Sequence, residues 1–216
     1  MIALPTITEL RVQQKNRQRI NVSLDGQFAF GLSSSLAARL RVGVALSDEE
    51  IKALQEQDSV EIARRRAMRL ISRRPRSERE LRRYFDRHAI PEPVQEAALS
   101  QLRRAELLDD GVFAETWVEN RTAFRPRGAL ALRSELKAKG VPRRAIEAAL
   151  ENFDEEAAAA EAGRKAARRY QHLSENDFRQ RVGAYLGRRG FRYPMIASVV
   201  DRLWQSAADD ESEVHR

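Results

Sequence analysis

An apolar spacing that recurs three times constrains this chain more than any other feature. Leu81, Phe85 and Ile90 are spaced four then five apart; Leu132, Leu136 and Val141 repeat that spacing 51 residues later, and Val182, Leu186 and Phe191 repeat it after a further 50. The register continues downstream. Four, nine and twelve residues past the last anchor stand Val94, Leu99 and Leu102; Ala145, Leu150 and Phe153; and Met195, Val200 and Leu203. Each set reads as a helix carrying an i, i+4 pair, a short link, and a second helix with its own apolar stripe.

The punctuation agrees with that reading. Gly140 before Val141-Pro142, Ile90-Pro91 and Gly190-Phe191 stop one helix and start the next. Ser77 with Glu80 and Ser174 with Asp177 have capping-box spacing, and Asp109 or Asp110 can cap a helix beginning near Val112. A further helix precedes each pair, over residues 62–73, 112–124 and 157–170. The expected fold class is therefore mostly α, with three tandem three-helix repeats. They occupy 47–109 (with a linker helix at its start), 110–153 and 154–204. A unit of about 50 residues buries its apolar face poorly alone, so stacked neighbours are expected to form an elongated, curved body.

The first 46 residues differ in period. Ile20, Val22 and Leu24 alternate with Asn21 and Ser23, and a similar alternation runs from Ile7 to Val12, so residues 6–31 are expected to form a small antiparallel sheet. Asp25-Gly26 supplies a two-residue turn, Phe28 and Phe30 continue the apolar face, and the basic stretch at 13–19 reads as a loop. A short helix is expected near 34–40, and Ser47-Asp48-Glu49-Glu50 opens another. The tail from 205 to 216 is acidic and unpatterned, and is expected to be disordered.

Absences narrow the chemistry. The chain has no cysteine, which removes disulfides, thiolate metal sites and cysteine nucleophiles, and fits a reducing compartment. Neither a signal-peptide pattern nor an apolar run of membrane-spanning length is present, so a cytoplasmic protein without membrane association is expected. His88, His172 and His215 lie far apart, and there is no phosphate-cradling glycine loop and no GxSxG turn. The carboxylates are interleaved with arginine along helical faces. No catalytic residue, metal ligand or cofactor is assigned.

Charge supplies a positive signal. Among 39 basic and 32 acidic residues, 34 are arginine, and the net charge is +7. Residues 60–110 carry 13 basic and 9 acidic groups, 111–153 carry 8 and 5, and 154–204 carry 10 and 7, so all three repeats are basic. Such a surplus suits an anionic partner. Two clusters, Arg73-Arg74-Pro75-Arg76-Ser77 and Arg125-Pro126-Arg127-Gly128, fall at equivalent places before the second helix of a repeat. Arginine forks beside helix N-terminal amides would hold phosphates or carboxylates. A solvated link stiffened by proline is the competing reading. Trp117 and Trp204 sit among apolar neighbours at helical spacing, which favours core over base stacking.

These residues give the chain a resemblance to the RecX family, bacterial regulators of the RecA recombinase. LLDDGVFAETWVENR at 107–121, PRG at 126–128 and LRSELKAKGV at 132–141 are similar to the family's central signature. AMRLISRRPRSERELRRYF at 67–85 resembles its first repeat and AYLGRRGFRYPMI at 184–196 its third. The strand-rich start is similar to the N-terminal extension of some members. The resemblance implies a non-catalytic, cytoplasmic regulator of recombination, repair and the SOS response. Acting as a monomer, such a protein binds the RecA filament in its helical groove, in reach of the filament's single-stranded DNA, and inhibits ATP hydrolysis and strand exchange. The residues assigned to partner or nucleic-acid binding, from charge and position, are Arg74, Arg76, Arg82, Arg83, Arg121, Arg125, Arg127, Lys137, Lys139, Arg143, Arg144, Arg168, Arg169, Arg188 and Arg189. A stand-alone helical nucleic-acid-binding module is the rival reading, and a helical scaffold for another acidic protein is a third.

Overall fold

Alternating apolar residues build the N-terminal sheet, which the computed structural model, describing residues 4–214, shows as three antiparallel strands in the order β1-β2-β3. They are β1 (Ile7–Gln13), β2 (Asn16–Leu24) and β3 (Gln27–Ser33). Asp25 and Gly26 both take positive φ, 50° and 84°, as the tight turn between β2 and β3 demands. Two local expectations are corrected here. The loop expected over 13–19 shrinks to Gln14 and Lys15, because Asn16–Arg19 pair as strand; Asn16, Arg17 and Gln18 are exposed, so no apolar alternation marks them. Phe28 does not continue the face of buried Phe30 and is 64% exposed, since a register shift skips Ala29 and turns the two rings apart.

After α1 (Ser34–Ala37), the capping box at Ser47 opens α2 (Asp48–Ile71), with Ser47 N–H donating to Glu50 Oε2 at 2.7 Å. This single 24-residue helix replaces the two separate helices expected on either side of residue 60, because neither glycine nor proline interrupts it. Ile51 and Leu54 pack on the sheet core of Ile7, Val22, Phe30 and Leu32, whereas Ala63 and Ala67 enter the core of the first repeat. Asp58, buried between the two, accepts from Ser33 N–H at 2.7 Å and from the Arg19 guanidinium at 2.6 Å.

The repeats follow as α3 (Glu78–Arg87) and α4 (Glu92–Arg104); α5 (Asp110–Phe124), α6 (Ala129–Lys139) and α7 (Arg143–Leu150); and α8 (Glu155–Tyr170), α9 (Glu175–Gly187) and α10 (Tyr193–Val214). The chain forms two compact units. One runs to Arg76 and includes Leu81–Leu108; the other holds Ser77–Glu80 and the chain from Asp109 onward. The expected disorder from residue 205 gives way to a helix that reaches Val214. Residues 205–214 contain no proline or glycine, so an established helix propagates at little cost; residues 215 and 216 lie outside the described residues.

The four-then-five spacing now has a geometric cause. Leu81, Phe85, Leu132, Leu136, Val182 and Leu186 are all fully buried, one i, i+4 pair per repeat. The gap of five is the left-handed helix stop: Ile90, Val141 and Phe191 donate their N–H to the carbonyls of Phe85, Leu136 and Leu186 at 3.1, 3.1 and 3.4 Å. The residue before each is left-handed, namely Ala89 (φ 51°), Gly140 and Gly190 (both φ 82°). Only the first uses a residue with a Cβ. Ala89→Gly is therefore expected to stabilise the protein by about 0.5–1 kcal/mol, since the left-handed penalty of an L-residue exceeds glycine's extra chain entropy. Leu136→Ala, which empties a fully buried site, is expected to cost about 2–5 kcal/mol; thermal and urea unfolding measure both.

Candidate functional site

The second repeat opens on Asp109-Asp110 and the third on Asp154-Glu155-Glu156, and the first two acids of each run do different work. Asp109 caps its own helix α5, accepting from Gly111 and Val112 N–H at 2.6 and 3.1 Å, as Asp154 caps α8 through Ala157 N–H at 2.9 Å. The next residue reaches another helix. Asp110 accepts from Glu78 N–H at the start of α3 (2.9 Å), and Glu155 accepts from Ala129 N–H at the start of α6 (2.8 Å). Both carboxylates sit at the positive end of the helix they receive.

Backbone contacts complete these joints within the second unit. Ser77 donates its hydroxyl to the Lys139 carbonyl at 2.7 Å, and Gly128 donates its N–H to the Arg189 carbonyl at 2.9 Å. The second approach is so close that a Cβ on Gly128 would overlap the Gly190 carbonyl, and one on Gly190 would lie 2.5 Å from the Ala131 Cβ. Glycine is thus required at both places for contact, and at Gly190 for its left-handed φ as well. The amides that could have joined the arginine links in an open anion site are already taken: Glu78, Ala129 and Gly128 N–H all have protein acceptors.

A second arrangement accounts for the segment 107–141. Trp117 stacks on Phe113 with centroids 5.9 Å apart and donates Nε1–H to Glu135 at 2.8 Å. Arg121 donates to the same carboxylate at 2.7 Å and lies 4.3 Å over the indole, with Lys139 Nζ at 5.1 Å from that ring. Arg127 pairs with Glu135 at 3.3 Å, and Lys139 with Glu80 at 2.7 Å. Trp117 belongs to the partly buried rim of the α5–α7 core and Trp204 to that of α8–α10.

The fifteen assigned cations therefore separate by what they touch. Arg82 pairs with Glu96, Arg121 and Arg127 with Glu135, and Lys139 with Glu80, so these hold the protein together. Arg74 donates to the Pro75 carbonyl, and Arg76 is half-buried and engaged with protein partners. Arg83, Arg125, Lys137, Arg143, Arg144, Arg168, Arg169 and Arg188 are exposed and make no ion pair among the described residues. Arg189 is half-buried, its guanidinium 3.8 Å from the Tyr185 ring centroid. Sequence reasoning assigned all of them by charge, named Asp110 only as a possible cap of its own helix, and missed Glu135 and Glu155. The signal available was the doubled acid at 109–110 and 154–155, one residue more than a helix cap needs.

Asp110 is also shifted electrostatically. Burial pushes its carboxyl above the ordinary aspartate value, against the bond from Glu78 N–H, with the nearby acids Glu78 and Asp109 adding to the rise. Among the described residues no three His, Asp or Glu side chains come together as a metal-binding group, and no helix is long and apolar enough to cross a membrane.

Comparison with known proteins covers nearly the whole chain. Four family models match in order: the regulatory protein RecX N-terminal domain at residues 5–45, and the first, second and third RecX three-helix domains at 63–102, 109–150 and 154–200. The regulatory protein RecX of Bacillus velezensis is 31% identical over 98% of this chain and 82% of its own length, and that of Bacillus subtilis is 29% identical over 99% and 83%. A crystal structure of a regulatory protein RecX superposes with a TM-score of 0.75 at 27% identity, covering 92% of this chain and all of the other. One of RecX from Lactobacillus salivarius scores 0.61 at 21% identity over 68% and 97%, a likeness of fold.

The capping role of Asp110 makes two substitutions diverge. Asp110→Ala strands the Glu78 N–H and is expected to cost about 0.5–2 kcal/mol, whereas Asp110→Asn keeps an acceptor. A carboxyl whose folded pKa is raised contributes its stability below the unfolded value, and that contribution is lost as pH rises through the folded pKa. Chemical denaturation across an acid-to-neutral series should therefore show the Asn variant gaining on the native protein as pH rises.

Proposed function

The chain belongs to the RecX family, and from that premise we propose that it is a non-catalytic regulator that binds the RecA–single-stranded DNA filament. It occupies the filament's helical groove as a monomer, and inhibits ATP hydrolysis and strand exchange there. Its relatives are named regulatory proteins, which supports a regulatory role. The observation that carries the reading further is the set of exposed cations without ion-pair partners among the described residues: Arg125, Lys137, Arg143, Arg144 and Arg188 in the second unit, with Arg83 in the first. In a protein where Arg82, Arg121, Arg127, Arg133, Arg179 and Lys139 each find a carboxylate, these do not. Exposed cations without a carboxylate attract an anionic partner over a range set by salt, and arginine forks then match carboxylate and phosphate alike.

The cytoplasmic location and the roles in repair and the SOS response belong to this same proposal. Titrating the protein into preformed RecA filaments on single-stranded DNA, with ATP turnover followed, is expected to lower hydrolysis saturably, while the protein alone turns over no ATP. Unchanged hydrolysis at excess protein, with no co-sedimentation, contradicts the proposal.

A further inference from the structure

Two of the most exposed aromatic rings flank the joint at which α6 meets the end of α9. Phe124, the last residue of α5, is 76% exposed, and Tyr193, the first of α10, is 81% exposed. Neither ring contributes to a core, so folding alone gives no reason for either. Phe124 lies four residues before Gly128 and Tyr193 three after Gly190, and these glycines are in backbone contact. Chain reach alone keeps the Cα atoms of these two residues within about 14 and 11 Å of that contact. Pro126 is buried and anchors the intervening link, while the residue before it, Arg125, leaves the helical conformation (ψ 71°) as a residue preceding proline must.

Arginines stand close in the chain to the same contact. Arg125, Arg188 and Arg192 are exposed and make no ion pair among the described residues. Residues 121–135 and 185–193 hold seven arginines, against the carboxylates of Glu135, which Arg121 and Arg127 neutralise, and of Glu155, so the local charge is positive. The preceding repeat shows that the aromatics are a special feature of this joint. At the same offsets from the buried anchors, Arg73 stands where Phe124 does and Arg143 where Tyr193 does.

We propose that Phe124, Arg125, Arg188, Arg192 and Tyr193 form a site for single-stranded nucleic acid, the arginines holding backbone phosphates and the two rings stacking on unpaired bases. Exposed rings within a positive field meet the two requirements of sequence-independent single-strand binding, a π platform and phosphate neutralisation. A duplex keeps its bases stacked on one another and offers only the phosphates. The proposal deepens the filament reading by assigning this face to nucleic acid in place of protein. Its test uses naked oligonucleotide, so its failure leaves filament binding standing.

The experiment is fluorescence anisotropy of the full chain with a short labelled oligothymidylate, a duplex and polyglutamate, across a salt series. Phe124→Leu with Tyr193→Leu is expected to weaken single-strand binding about ten-fold or more with an unchanged salt slope. Arg125→Gln, Arg188→Gln and Arg192→Gln together should flatten the slope by about two, at roughly 0.7 per lost phosphate contact. Phe124→Tyr with Tyr193→Phe should bind like the native protein. The proposal is overturned if the leucine variant binds within two-fold of the native chain, or if polyglutamate binds as tightly as the oligonucleotide. If the leucine variant instead loses co-sedimentation with filaments while keeping the oligonucleotide, the face is a protein contact and the proposal also fails.

Discussion

The second unit depends on one contact, the backbone approach of Gly128 to Arg189 and Gly190. Its N–H···O bond of 2.9 Å leaves no room for a side chain on either glycine, so the start of one helix is fixed against the end of another without any adaptable group between them. The Glu155 carboxylate then closes the remaining amide at Ala129. Much else follows from this placement. In the link before Gly128, Pro126 is held inside while Arg125 is exposed, and the turn after Gly190 starts α10 with an exposed tyrosine. Asp110, Ser77 and Lys139 repeat the arrangement at the neighbouring joint, with Arg79 lying against Gly140 where Ala131 lies against Gly190.

This geometry divides the arginines into two populations that composition alone merges. Those on carboxylates, or over Trp117, are held in fixed positions and contribute modestly to folding, as exposed or half-exposed pairs do. The others have no ion pair among the described residues, and the proposed function gives their charge to a partner. Under the proposed filament reading each population has its own use. The paired set ties α5 to α6 through Glu135 and α6 to the start of α3 through Glu80, and the unpaired set stays exposed. Asp110 adds a cost, since its charge is held in a half-buried place where the neutral form is favoured. The Glu78 amide offsets part of it.

Much of this architecture was legible from residues alone, and for a physical reason. The four-then-five spacing combines a helical i, i+4 pair with the span of the left-handed stop, so Leu132, Leu136 and Val141 report burial and chain reversal together. The N-terminal sheet was legible where one face is buried, at Val22 and Phe30, and illegible at Asn16–Gln18, where water lies on both sides of the strand. The bulge at Ala29 was invisible because a register shift leaves no mark on apolar alternation, which is why Phe28 was assigned to the wrong face. Ion pairing was the hardest to read. Arg125 and Arg127 are two residues apart in one motif, yet only the second meets Glu135, since that contact depends on where α6 sits and on no local pattern.

The central claim is that unpaired and paired cations do separable work. The most direct measurement compares two variants by thermal unfolding and by co-sedimentation with RecA filaments. One carries Arg125→Gln, Lys137→Gln, Arg143→Gln, Arg144→Gln and Arg188→Gln; the other carries Arg121→Gln, Arg127→Gln and Lys139→Gln. The first is expected to keep its unfolding transition and lose filament binding steeply, and the second to unfold earlier while binding filaments at low temperature. Filament binding that survives in the first variant and disappears in a fully folded second one would contradict it.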